Sequence, residues 1–171
     1  MEKRKINWNT GRCTKKETAS IGITQKRLTG KDLSKAAYWY EKAAEQGNAS
    51  AQFNLGLMFS NGRGVAKDFS KAAYWYEKAA EQGNASAQFN LGLMFSNDRD
   101  VAQDFSKAAY WYEKAVGQGL AKAQFNLGKL YEQGNGVNRN YTIAAEYYEQ
   151  SALNGFKNAQ LNKAMPKRFA R

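Results

Sequence analysis

Hydrophobic and polar positions alternate along this chain in two recurring helical patterns. The first runs from about Ala49 to Ser60. At about 100° per residue, Ala51, Leu55, Met58 and Phe59 fall on one face, the spacing of a buried stripe. Gly56 flanks that stripe and predicts the close approach of a neighbouring helix. The second pattern runs from about Phe69 to Gln82, with Phe69, Ala72, Ala73, Tyr76, Ala79 and Ala80 on its inner face. Lys71, Lys78 and Glu81 point away from it. Asp32, Asp68, Asp104 and Asn140 stand where an N-cap oxygen satisfies free backbone N–H groups. Gly47, Gly83, Gly119 and Gly155 stand just past the second pattern, where a residue with positive φ closes a helix. Gly62 and Gly64 do the same after the first. The reading is helix, loop, helix, tight turn.

That unit repeats with a period of 36 residues, the range that marks a solenoid. Residues Ser34 to Asn61 reappear without change as Ser70 to Asn97, and Ser70 to Ala79 a third time as Ser106 to Ala115. A fourth, diverged copy starts at Asn140. The identical pair reads as a recent duplication, so its two members are not independent witnesses to function. The expected fold is all-α, an α/α solenoid (superhelix) of antiparallel helix pairs.

The run 48–56 (Asn-Ala-Ser-Ala-Gln-Phe-Asn-Leu-Gly) is followed by Gly62-Arg63-Gly64-Val65, Asp68, Lys71-Ala72, Trp75-Tyr76 and Ala79-Ala80-Glu81-Gln82-Gly83. This series resembles the Sel-one-like repeat (SLR), a relative of the tetratricopeptide repeat. The pattern A-x-x-x-L-G-x-x-[YF], G-x-G-V, K-A-x-x-W-Y and A-A-x-x-G is complete in residues 51–83. Full units are expected at 49–84, 85–120 and 121–156, with a half-unit at 31–48 and a trailing one at 157–165. The resemblance implies a superhelical stack that acts as an interaction scaffold, often bacterial. Some cysteine-rich relatives carry a Cys pair per repeat. This chain has Cys13 alone, so disulfide-dependent behaviour is not carried over.

Departures from the pattern carry their own expectations. Asp98 and Asp100 replace Gly62 and Gly64 in the next unit, which predicts a reshaped loop at 97–101. In the trailing half-unit Lys163 replaces the core Leu and Pro166 stops the helix, as at a terminal cap. Residues 1–30 do not match the repeat. Thr14-x-x-Glu17 is a possible capping box, yet Ile21-Gly22-Ile23-Thr24 reads as extended. The segment is taken as a poorly ordered basic arm or an atypical cap, and 166–171 as a basic tail. Whatever its form, something must cover the helix at 33–46, or its aromatic face stays exposed.

Composition narrows the chemistry. Among 171 residues there is no His, so neither a Ser-His-Asp arrangement nor an H-E-x-x-H zinc site can be built from this chain alone. No enzyme, cofactor or metal site is expected. No window approaches the roughly 18 apolar residues of a membrane span, and no apolar signal-peptide core follows the basic start. The expected location is cytoplasmic, or secreted or periplasmic if a longer chain begins upstream. The net charge of +11 suggests an acidic partner until it is divided. Residues 1–31 carry +7 and 157–171 carry +5, whereas 32–156 carry −1.

Two surfaces remain as candidates. Phe53, Asn54, Leu57 and Ser60 lie roughly opposite the Leu55 stripe. Their equivalents are Phe89, Asn90, Leu93 and Ser96, then Phe125, Asn126, Lys129 and Glu132. In a stack resembling tetratricopeptide arrays this face lines the concave groove. Phe and Leu would supply apolar contact, and an Asn ladder could pair with an extended peptide backbone. The alternative is structural: Phe packed between helices, Asn bridging repeats. The triplets Tyr38-Trp39-Tyr40, Tyr74-Trp75-Tyr76 and Tyr110-Trp111-Tyr112 suggest base stacking. Three consecutive helical residues span about 200° and cannot form one platform. Tyr40, Tyr76 and Tyr112 are therefore assigned to the core and the Trp residues to the joints between units. The function expected is a scaffold or adaptor that binds protein or peptide in the groove. The second reading is association with nucleic acid, or another anionic surface, through the basic ends.

Overall fold

The computed structural model describes residues 30–97 and 102–162, and all regular structure among them is α-helical. Eight helices follow in order: α1 (Gly30–Glu45), α2 (Ala49–Asn61), α3 (Phe69–Glu81), α4 (Ala85–Ser96), α5 (Phe105–Val116), α6 (Ala121–Gln133), α7 (Tyr141–Leu153) and α8 (Lys157–Asn162). Each packs on the next, most extensively within the hairpins α2–α3, α4–α5 and α6–α7. This chain of neighbours is the architecture of a solenoid.

Local sequence explains the helix starts. Asn48 and Asn84 each accept an N–H bond at 2.9 Å, from Ala51 and Ala87. Asp68 and Asp104 cap α3 and α5 through Lys71 N–H and Lys107 N–H. Asn140 accepts from both Thr142 and Ile143. Asp32 does not do this, because α1 already begins at Gly30 and places Asp32 inside its first turn. At the far end of α2, Gly62 adopts φ 65° and its N–H closes on Met58 O. In the next unit Asp98 holds that position, and α4 ends one residue earlier. Asn97 is extended at φ −113°, where its counterpart Asn61 is helical. The rest of the loop expected at 97–101 lies outside the described residues.

The core consists of three similar clusters, one per joint. Ala44, Ala51 and Leu55 form the first, with Phe59 and Trp75 packed against it. The second contains Ala72, Tyr76, Ala79, Ala80, Ala87 and Leu91, covered by Trp111 among others. The third repeats this with Ala108, Tyr112, Ala115, Ala123 and Leu127. So much buried alanine draws the helices together, and glycine draws them closer still. A Cβ on Gly56 would stand 2.6 Å from the Tyr76 ring. Gly92 meets Tyr112 and Gly128 meets Tyr148 in the same way. Gly64 satisfies a double demand: φ is 76°, and an added Cβ would stand 2.8 Å from Ser34 N on α1.

Trp75 and Trp111 thus occupy the joints expected of them, and Tyr76 and Tyr112 the core. At the N-terminal end the assignment fails. Trp39 is 62% exposed and Tyr40 37% exposed. Their counterparts pack against the helix before them, Tyr76 and Tyr112 buried and Trp75 and Trp111 half-buried, and no described helix precedes α1. Residues 1–29 and 163–171 lie outside the described residues, together with the expectations about the arm, the Lys163–Pro166 cap and the tail.

A buried amide ladder was not anticipated. Gln52, Gln88 and Gln124 are buried polar residues near the starts of α2, α4 and α6. Gln52 Nε2 donates to Ala44 O at 3.1 Å, and Gln82 Nε2 donates to Gln52 Oε1 at 2.7 Å. Gln88 repeats the arrangement with Ala80 O and Gln118. Gln124 accepts from Asn154 Nδ2 at 2.9 Å. Gln52 and Gln88 each tie their hairpin to the carbonyl end of the helix before it. No buried side-chain polar atom among the described residues is left unpaired.

Candidate functional site

The groove face belongs to α2, α4 and α6, with the phenols of α3 and α5 at its floor. Ser60 on α2 donates to Leu57 O at 3.1 Å, which uses its single proton. Tyr76 OH, 3.1 Å from Ser60 Oγ, is then the donor in that pair. Asn90 on α4 also bonds the Tyr76 phenol. The next unit repeats the chain: Asn126 Nδ2 donates to Tyr112 OH at 3.2 Å, and Tyr112 is 3.1 Å from Ser96 Oγ. Burial pushes both phenols above their ordinary value, outweighing the opposing effect of the Asn bonds. They therefore remain neutral donors at physiological pH.

Each of these chains lies in the wall of a pocket. The first pocket, about 410 Å3, is bounded by Leu57, Ser60, Tyr76, Asn90, Leu93 and Asn97 among its residues. The second, about 280 Å3, is bounded by Leu93, Ser96, Tyr112, Asn126, Lys129 and Gln133 among others. The second is the first moved on by one repeat, and Leu93 and Asn97 are shared between them. Of the expected groove residues, Leu57, Asn90, Leu93, Asn126 and Lys129 line these pockets. Phe53, Asn54, Phe89 and Phe125 do not. The three Phe rings lie 5.9, 5.9 and 5.4 Å from Tyr76, Tyr112 and Tyr148, half-buried against the second helix of their own hairpins. Asn54 Nδ2 donates within its own helix to Ser50 O. Asn90 and Asn126 do bridge repeats, but an amide that gives one N–H to a phenol keeps a second N–H and an acceptor oxygen.

The phenolic floor was missed because Tyr76 and Tyr112 read as core residues, which their rings are. The signal was present: Ser, Tyr and Asn recur at positions 60, 76 and 90 and again at 96, 112 and 126. On α6 the pattern changes character. Glu132 replaces the serine and accepts from Tyr148 OH at 2.5 Å. Lys129 replaces the leucine and is exposed. Among the described residues no group of three metal-ligating side chains occurs, and no helix is long and apolar enough to cross a membrane.

These features define an α/α solenoid of helical hairpins. The Sel1 repeat family model matches residues 26–48, 49–84, 85–120 and 121–156, and the chain belongs to that family. Similar solved structures include a Sel1 repeat protein from Oxalobacter formigenes, 37% identical with a TM-score of 0.73 over 78% of this chain. A protective antigen of uropathogenic Escherichia coli strains, displaying an SLR fold, is 38% identical with a TM-score of 0.76 over 81%. Helicobacter pylori cysteine rich protein B is 26% identical with a TM-score of 0.63, covering 80% of this chain and 98% of that one. The chain spans only 55% and 30% of the lengths of the first two. None of the curated proteins compared matches it. Sel1 arrays are a protein-interaction kind of scaffold and generally non-catalytic.

Proposed function

We propose that this array binds an extended protein segment in the groove formed by α2, α4 and α6, and so serves as a scaffold or adaptor. The observation that carries the reading is the pair of matched pockets, one repeat apart, each lined by leucine and by amide side chains. An apolar side chain of a partner would fill the pocket walled by Leu57 and Leu93. The spare amide groups of Asn90 and Asn126 would meet its backbone. Because the Ser–Tyr–Asn chains are already bonded without a partner, binding would need little reordering, which limits its entropic cost.

A phage-displayed library of random linear peptides, selected on the full chain, provides the test. Leu57→Gln with Leu93→Gln should weaken the selected peptides about tenfold or more while circular dichroism stays unchanged. The register position of Leu93 holds exposed Lys129 in the next unit, so the fold accepts a long polar side chain there. Undiminished binding to a folded double variant would refute the groove.

A further inference from the structure

The two pockets differ in one consequential residue. Leu93, on the wall of the first, is succeeded in the second by Lys129. Lys129 makes no ion pair with any described residue; the ion pairs present are Lys42–Glu45, Lys78–Glu81 and Lys107–Asp104. The one carboxylate on its own helix, Glu132, is engaged by Tyr148 OH. No acidic side chain is among the described residues lining either pocket. Amide groups of Asn97, Asn126, Gln133 and Asn135 surround the same 280 Å3 space.

Resting on the groove reading, we propose that the Lys129 pocket selects an acidic side chain, Asp or Glu, within the bound segment. An ammonium ion among amide donors, with no carboxylate lining the same space, is a complement for one carboxylate. The first pocket holds its own lysine differently. Lys67 Nζ lies 4.6 Å from the centre of the Phe69 ring, which holds its ammonium over an aromatic face. Its shared wall is Leu93, so that pocket suits an apolar side chain. The groove therefore reads direction: a segment with an apolar residue followed or preceded at fixed spacing by an acidic one fits in a single orientation. The carboxylate proposed is that of an internal Asp or Glu side chain rather than of a chain end.

The same random-peptide selection tests this, because display by fusion leaves no free C-terminal carboxylate. Peptides recovered on the full chain should carry Asp or Glu at a fixed distance from an apolar residue, and should weaken with added salt. Lys129→Leu, which installs the residue found at this register in the two preceding units, should weaken them about fivefold and remove the acidic preference on reselection. Lys129→Arg should retain both. If groove-dependent peptides are recovered without an acidic preference, or if Lys129→Leu leaves them unaffected, this inference falls and the groove reading stands. If nothing dependent on Leu57 and Leu93 is recovered, both fall.

Discussion

At the scale of single residues, identical side chains serve packing and polarity together. Tyr76 is 2% exposed, yet its hydroxyl links Ser60 to Asn90 across a joint. Its proton is held more tightly in the folded chain than in the unfolded one, since burial raises the phenol. Below the ordinary value of 10.0 both states keep the proton and the contribution is complete. As pH rises past that value the unfolded chain ionises first, so stability falls and is lost through the raised folded pKa. Urea midpoints from about pH 8 to about pH 11 should therefore decline, and Tyr76→Phe with Tyr112→Phe should flatten the decline. The same double variant should cost about 1 kcal/mol per lost hydrogen bond near pH 8. Glycine provides a second contrast of this kind. Gly92→Ala would drive a Cβ into the Tyr112 ring and should destabilise by about 1–3 kcal/mol. Gly117 sits in right-handed helical geometry with its nearest neighbour 3.5 Å from an added Cβ. Gly117→Ala should be neutral or stabilising by about 0.4–1 kcal/mol. Denaturant titration of the two variants side by side decides whether close packing or chain entropy governs each position.

At the scale of helices, the pattern of hairpins was plain in the sequence because apolar spacing, caps and positive-φ glycines all agree. Asp68, Asp104 and Asn140 cap the helices they were expected to cap. Asp32 misled because a capping residue type inside a first turn looks the same in sequence as one before it. The site was only partly legible. Periodicity places Phe53 and Leu57 on one face, but whether a half-buried ring lines a pocket depends on the facing helix of the next hairpin. Tyr76 and Gln52 illustrate the limit from the other side. A helical wheel assigns a residue one face, whereas Tyr76 spans core and groove, and Gln52 finds its partners at Ala44 and Gln82. Capping also differs between equivalent helices. Asn84 bonds Ala87 N–H, while Leu120 stands at the same place before α6 with no side-chain cap. Asn84→Ala should cost about 1 kcal/mol, and Leu120→Ala should show only the loss of its apolar packing. Thermal midpoints of the two variants would separate these origins.

At the scale of the whole molecule, each helix packs chiefly on the one before and the one after it, so stability should be a sum of units and joints. The exact repetition of Ser34–Asn61 as Ser70–Asn97 makes that idea testable without designing any new surface. A further copy of residues 49–84 inserted after Asn84 recreates a joint already present, because α2 and α4 share the sequence ASAQFNLGLMFS. Each new helix meets the neighbours it has now, including Trp75 over alanine and Tyr76 against glycine. The extended chain should melt at a higher temperature, and its urea m-value should rise roughly in proportion to the added buried surface. It would also gain one more Ser–Tyr–Asn pocket walled by leucine, and no second Lys129. Apolar contact along the groove should lengthen while the preference for an acidic residue stays single. A lower midpoint would mean that the joints are not interchangeable, and that each unit is tuned to its place in the array.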